Sequence, residues 1–253
     1  MITVSDILAF VESVAPPSYQ MSWDNTGLLC GRKDKEVRTV LVALDPFTSV
    51  CQEAVQLGAD LLVTHHPLIF QPVTSVTDQT TVGKAVMTLI RNDIAAINAH
   101  TNLDCAPGGV NDILAQRLGL TDISVIGSEH LLRAGCYDST LPDFLSNVKS
   151  SLGCRGLRYV DGGKPVSYVA VGGGSCGSSL PDVIAAGCDT FVTADIKYNQ
   201  FWDAKELGIN LIDAGHFHTE NPATSYLADK LQGAFPEIQV VLSKNHDDCM
   251  KFY

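Results

Sequence analysis

The sequence predicts an α/β protein made of two interlocked βαβ-type halves with mainly parallel sheets. Three observations carry this expectation. Short, apolar, β-prone runs alternate with helix-length segments, which is the rhythm of parallel βαβ units. Motifs of the first half recur in the second. Histidines and carboxylates fall at the carboxyl ends of the strands, where open α/β sheets bind ligands.

Taken in order, Thr3-x-x-Asp6 forms a capping box, and Ile7, Leu8, Phe10 and Val11 give the first helix its apolar face. Pro16-Pro17 ends that helix. Trp23-Asp24-Asn25-Thr26-Gly27 is turn-rich, and it reads first as a Trp23 packed beside a turn, with a role for Asp24 or Asn25 at the rim of a site as the alternative. Thr39 to Asp45 reads as a buried strand, Ser49 to Leu57 as a helix closed by Gly58, and Leu61-Leu62-Val63 as a second strand. A helix over Val82 to Arg91, a strand over Ile94 to His100 and a helix from Val110 to Leu118 follow. Residues 121–168 are irregular and compatible with short antiparallel strands or a crossing between halves. Alternation then resumes through Tyr168 to Val171, a glycine cluster, a helix ending near Gly187, and the strand Thr190 to Asp195. A helix over Asn199 to Leu207, the strand Leu211 to Asp213, a helix to about Leu231 and the strand Ile238 to Leu242 complete the chain.

Gly58 to Thr64 aligns with Gly187 to Thr193, and Ile97-Asn-Ala-His100 with Ile212-Asp-Ala-Gly215. The halves are accordingly placed at residues 1–125 and 126–253, with the C-terminal strand free to cross back. A cleft between two such halves is the expected ligand site.

Composition narrows the function. A formal net charge of −11 opposes non-specific binding to nucleic acid or anionic lipid. No apolar run reaches the length of a membrane span, and the N-terminal stretch lacks a basic n-region, so no signal peptide is expected. The eight cysteines show no Cys-x-x-Cys spacing and read as reduced core thiols of a cytoplasmic protein.

Three strand ends present ligand-type residues: His65 and His66, then His100 and Asp104, then His216 and Glu220. Neighbours on a strand point to opposite faces unless the backbone turns, so His65 and His66 are expected to serve separate ions. Asp104 follows His100 by four in an apparent loop, and its spacing fits either a ligand or a loop cap. On a helix starting at Gly215, His216 and Glu220 share a face, and His218 lies roughly 200° around from His216, as a surface or packing residue. His130 and His246 stand alone. An imidazole and carboxylate set without thiolate suits Zn, Fe, Mn, Ni or Co. Two such divalent ions per chain, about 4 Å apart, would polarise a substrate oxygen and generate hydroxide, the usual equipment of hydrolysis.

The segments Ser22-Trp-Asp-Asn-Thr-Gly-Leu28, Thr64-His-His-Pro-Leu-Ile-Phe70, His100-Thr-Asn-Leu-Asp104, Thr193-Ala-Asp-Ile-Lys-Tyr198 and Asp213-Ala-Gly-His216 through Thr219-Glu220 span nearly the whole chain. In them the sequence resembles the dinuclear-metal proteins called GTP cyclohydrolase I type 2-like, or Ngg-one-interacting-factor-three-like. The resemblance implies metal ligation by His65, His66, Asp104, His216 and Glu220, with Glu220 bridging. It implies a catalytic or outer-sphere place for His100, as the acid/base of a hydrolase acting on a nucleotide or other small phosphate-bearing substrate. It also implies a homohexamer built from dimers, without the extra mid-chain domain of some relatives. Thr193-Ala194-Asp195 departs from the more usual Thr-Gly-Asp.

Two other readings compete. Gly172-Gly-Gly174-Ser-Cys-Gly177, with Asp195 18 residues beyond, satisfies the dinucleotide fingerprint and suggests an NAD-dependent oxidoreductase. The same loop could instead hold a substrate phosphate on its amides. The remaining class is a non-catalytic ring in which metal is structural.

Overall fold

The computed structural model describes residues 1–253 and divides into two compact units. The first comprises Met1–Ala106 with Ala223–Asp247, and the second Pro107–Pro222 with Asp248–Tyr253. In chain order the first unit contributes α1 (Val4–Val14), β1 (Gly27–Cys30), β2 (Thr39–Ala43), α2 (Thr48–Leu57), β3 (Leu61–Thr64), α3 (Thr81–Arg91), β4 (Ala95–Asn98) and α4 (Thr101–Cys105). The second contributes α5 (Val110–Arg117), β5 (Thr121–Ile126), β6 (Leu132–Ser139), α6 (Leu141–Leu152), β7 (Arg158–Val160), β8 (Val166–Val171), α7 (Leu180–Ala185), β9 (Thr190–Thr193), α8 (Tyr198–Glu206), β10 (Asn210–Asp213) and α9 (His216–Glu220). The chain then returns to the first unit through α10 (Pro222–Ala234) and β11 (Gln239–Leu242).

The first unit's sheet runs β1-β4-β3-β2-β11. Its β4, β3, β2 and β11 are parallel, and β1 alone is antiparallel. All four residues of β3 and of β4 are buried, which explains why these strands are apolar throughout instead of alternating. Leu41, Leu62, Leu89 and Ile94 pack in one core beside them. Local signals set the ends of the helices. Thr3 and Asp6 make the predicted capping box on α1, and Gly58, at φ 67°, closes α2 in the left-handed conformation.

The second unit's sheet runs β5-β6-β8-β9-β10-β7. Its centre, β8-β9-β10, is parallel, and the flanking pairs are antiparallel. The α/β class with a parallel centre in each sheet therefore stands.

The irregular stretch 121–168 resolves into β5, β6, α6, β7 and the start of β8. The α6 helix has an N-terminal signal that was readable: Thr140 accepts from the Asp143 amide, and Gly153 ends the helix at φ 69°. The strand β1 was hidden in a turn-rich segment. The division between units falls at Ala106 instead of near 125, because α5 contacts β5, β6 and β8 and β5 pairs with β6. Asp104 lies on α4 and not in a loop, since the amides of Leu103 and Asp104 both bond to the His100 carbonyl. Six of the eight cysteines are buried, whereas Cys136 and Cys249 are exposed and are not core thiols. No helix is long and apolar enough to cross a membrane.

Candidate functional site

In the first unit the strand register builds an imidazole cluster. Beyond the paired residues Ala43 and Thr64, the His65 and His66 amides bond to the carbonyls of Ala43 and Leu44, so both histidines continue the β3 path past its end. The Thr64 hydroxyl donates to the His66 carbonyl at 2.7 Å and folds the backbone over. In consequence the two rings do not diverge as strand alternation predicts: their centroids are 5.0 Å apart, and each lies within 5.5 Å of the His100 ring. Ligand atoms of His65, His66 and His100 all fall within 4.8 Å of one another, a spacing that could hold a metal ion. Asp104, buried on α4, places Oδ1 3.5 Å from His65 Nε2.

Each of these imidazoles is held by its other nitrogen. His65 Nδ1 donates to the Ala99 carbonyl at 2.8 Å, His66 Nδ1 to Asp45 at 2.7 Å and His100 Nδ1 to Asp24 at 2.8 Å. Fixing Nδ1–H on a carbonyl or carboxylate leaves Nε2 as the lone-pair donor, the arrangement typical of metal-bound histidine. Burial alone would raise the Asp24 carboxyl. Hydrogen bonds from His100 and Thr101, with the Asn25 amide, outweigh it and hold the group down at about 2. Sequence reasoning missed Asp45. The available signal was its position beyond β2, level with His66 beyond the neighbouring parallel strand.

The second unit supplies a smaller set. Gly215, at φ 84°, turns the chain out of β10 into α9, and one helical turn puts His216 Nε2 3.0 Å from Glu220 Oε2. Asp195 accepts from His216 Nδ1 at 2.6 Å, so the residue that completed the dinucleotide fingerprint orients an imidazole instead.

The glycine loop is committed in the same way. The Gly173 amide donates to Asn111 Oδ1, that of Gly174 to Thr219 Oγ1, that of Cys176 to Thr193 Oγ1 and that of Gly172 to the Val192 carbonyl. A Cβ on Gly174 would collide with Glu220 Oε1 and stand 3.1 Å from His216 Nε2. The glycines thus make room for the α9 side chains. With these amides satisfied internally, and with α7 only six residues long, neither the dinucleotide reading nor the phosphate-cradle reading of this loop survives.

The other histidines belong to none of these ligand-type groups. His218 packs away from His216, donating from Nδ1 to the Leu152 carbonyl at 3.2 Å, with Nε2 3.4 Å from Asp248. His130 is exposed at φ 58°. Burial pushes the half-buried His246 below its ordinary value, against the opposing pull of Asp45, Glu53 and Asp247. Trp23 is not packed beside its turn but 59% exposed.

Comparisons with known proteins identify the family. The family model described as Duf34/NIF3 (NGG1p interacting factor 3) matches residues 2–248. A "GTP cyclohydrolase 1 type 2 homolog" of Clostridium perfringens is 34% identical, covering 98% of this chain and 99% of that one. One of Streptomyces coelicolor is 38% identical over 87% of this chain and 82% of its own length. Among solved structures, the Staphylococcus aureus hypothetical protein SA1388 superposes with a TM-score of 0.91 at 31% identity, covering 99% of each chain. Reduced HcgD from Methanocaldococcus jannaschii gives 0.85 at 30%, over 96% of this chain and 98% of its own. With a family model matched from end to end and relatives this similar over nearly their whole length, the chain belongs to the Duf34/NIF3 (NGG1p interacting factor 3) family.

Proposed function

We propose that this protein is a dinuclear metal-dependent hydrolase acting on a nucleotide or another small phosphate-bearing substrate. The observation that carries the proposal is the repeated tethering of Nδ1. His65, His66 and His216 each donate from Nδ1 to a fixed carbonyl or carboxylate and so present Nε2 as a donor. On this reading His65, His66, Asp104, His216 and Glu220 are the residues that would hold two divalent ions. The donors are nitrogen and oxygen without thiolate, which fits Zn, Mn, Fe, Co or Ni. The chemistry such ions supply is activation of water and polarisation of a substrate oxygen at neutral pH.

His100 belongs to the same cluster but is not needed for the five-ligand set. Held on Asp24, its Nε2 can take up or deliver a proton at the reacting group. The curated relatives are named as GTP cyclohydrolase homologs, which supports a nucleotide as the first substrate class to test. A homohexameric assembly is part of the proposal and rests on the family.

Protein purified without a histidine tag, stripped and reconstituted, should contain two ions per chain. It should hydrolyse a member of a nucleoside triphosphate and phosphoester panel in a manner abolished by chelator and restored by metal. Metal content near one or zero overturns the dinuclear assignment. Full metal content with no turnover on the panel favours the structural-metal ring. Light scattering that gives a monomer at micromolar concentration overturns the hexamer.

A further inference from the structure

We infer that Trp23 and Phe70 form a stacking subsite for a planar heteroaromatic ring of the substrate, beside His100. The inference rests on the reading of the imidazole cluster as a substrate-processing site, and it adds what part of the substrate is recognised and by which side chains.

Trp23 and Phe70 are the fourth and fifth rings of a cluster that begins with the three imidazoles of His65, His66 and His100. Trp23 lies 6.3 Å from the His100 ring and Phe70 6.0 Å from it, and Trp23 and Phe70 are 5.9 Å apart, each pair close to edge-to-face. Yet Trp23 is 59% and Phe70 42% exposed, although this unit buries apolar side chains such as Leu62, Leu89 and Ile94 almost completely. Water over an indole face is a standing cost that a ligand ring relieves on binding.

The two rings are also held in place. The Asn25 side chain donates to the Ile69 carbonyl at 2.6 Å, which ties the turn bearing Trp23 to the segment bearing Phe70. Gln20 Nε2 donates to the Asp24 carbonyl at 2.7 Å, and the Asp24 side chain is anchored on His100 and Thr101. Exposed aromatics on a pinned backbone lose little further freedom when a ligand stacks on them, which is what a preorganised subsite requires. The mutually perpendicular rings exclude a parallel sandwich. The more exposed Trp23 indole is the platform, with Phe70 and His100 beside it. A purine or pyrimidine on this platform would bring the groups attached to it next to the His100 imidazole. Stacking on an aromatic platform tolerates any base, so the subsite reads planarity and leaves base identity to other contacts.

Trp23 is one of two tryptophans, the other being Trp202, so a Trp202→Phe background makes Trp23 the sole indole reporter. The metal-loaded full chain in that background is titrated with the four nucleoside triphosphates and, in parallel, with inorganic triphosphate. At least one nucleotide should quench indole emission saturably while triphosphate does not. By calorimetry, Trp23→Ala in the wild-type background should weaken that nucleotide roughly ten- to hundredfold while leaving triphosphate affinity and metal content unchanged. Trp23→Phe should recover much of the loss. Absence of quenching by all four nucleotides overturns the subsite, and so does equal weakening of nucleotide and triphosphate by Trp23→Ala. Binding alone is read, so a stacking subsite confirmed in a protein that hydrolyses nothing would overturn the hydrolase reading and leave this one standing.

Discussion

The two units carry the same strand–helix–strand device and finish it differently. In each, the third strand pairs with its neighbour in the same register, Thr64 opposite Asn98 and Thr193 opposite Asp213. The next amide then closes the ladder, Ala99 onto the Thr64 carbonyl and Ala214 onto that of Thr193. Beyond that point the first unit places His65, His66 and His100, and the equivalent positions of the second are Ala194, Asp195 and Gly215. The first unit therefore carries its candidate imidazole donors at strand ends, with His65 only 2% exposed. The second has Gly215 at the position equivalent to His100; it starts α9, whose first and last residues are the candidate donors, and Asp195 accepts from His216. In the first set the imidazoles are at most 19% exposed, whereas the other sits on a single helical turn with the His216 side chain 33% exposed. Duplicated backbone geometry can thus be conserved while the donor is moved from strand to helix.

The comparison predicts unequal dependence on the two sets. The largest effect is expected for His65→Ala, which should empty at least one ion site and abolish turnover, whereas His216→Ala should retain more metal at equal free concentration. Elemental analysis of both variants after reconstitution checks this, and equal losses would erase the distinction between buried and helical donors.

Next comes His100→Ala, expected to keep both ions while turnover on a wild-type substrate falls by roughly 10²–10⁴. If an ion leaves as well, the strand-end set is larger than proposed and His100 is one of its ligands.

The carboxylates behind the imidazoles give a finer contrast. Asp45→Asn and Asp195→Asn should each weaken metal binding, by roughly 10- to 100-fold where the partner is shielded from water. Asp45, whose side chain is 21% exposed, should matter more than Asp195 at 49%. Competition with a chromogenic chelator measures both, and the reverse order would show that exposure does not govern orienting strength here.

The smallest effect concerns acid stability. Asp24 is held at about 2, below its ordinary 3.8, so its contribution is fully present above about pH 4 and disappears as pH falls through about 2. Once solvent screening is allowed for, about 1–2 kcal/mol is at stake. Asp24→Asn should therefore flatten the fall of the urea midpoint between pH 4 and pH 2. An unchanged acid limb would show that the His100 and Thr101 bonds do not stabilise the fold.

What the sequence determined by itself was whatever depends on local chemistry. Buried strands are written as unbroken apolar runs, helix ends as Thr3 with Asp6 and as Gly58, and the α9 pair as an i,i+4 spacing that any helix brings to one face. The imidazole cluster was legible as a candidate because a His-His-Pro strand end has few ordinary uses. Tertiary structure alone decided what depends on partners distant in the chain. Asp45 meets His66 across 21 residues and Asp24 meets His100 across 76, and only the pairing of strands and the packing of a turn bring them together. The glycine loop shows the limit most plainly. Its spacing satisfies a dinucleotide pattern, but its amides are occupied by Asn111, Thr193 and Thr219, and its missing Cβ atoms clear space for Glu220. A sequence pattern records that a backbone can approach something closely; the surrounding fold decides whether that is a phosphate or its own carboxylate.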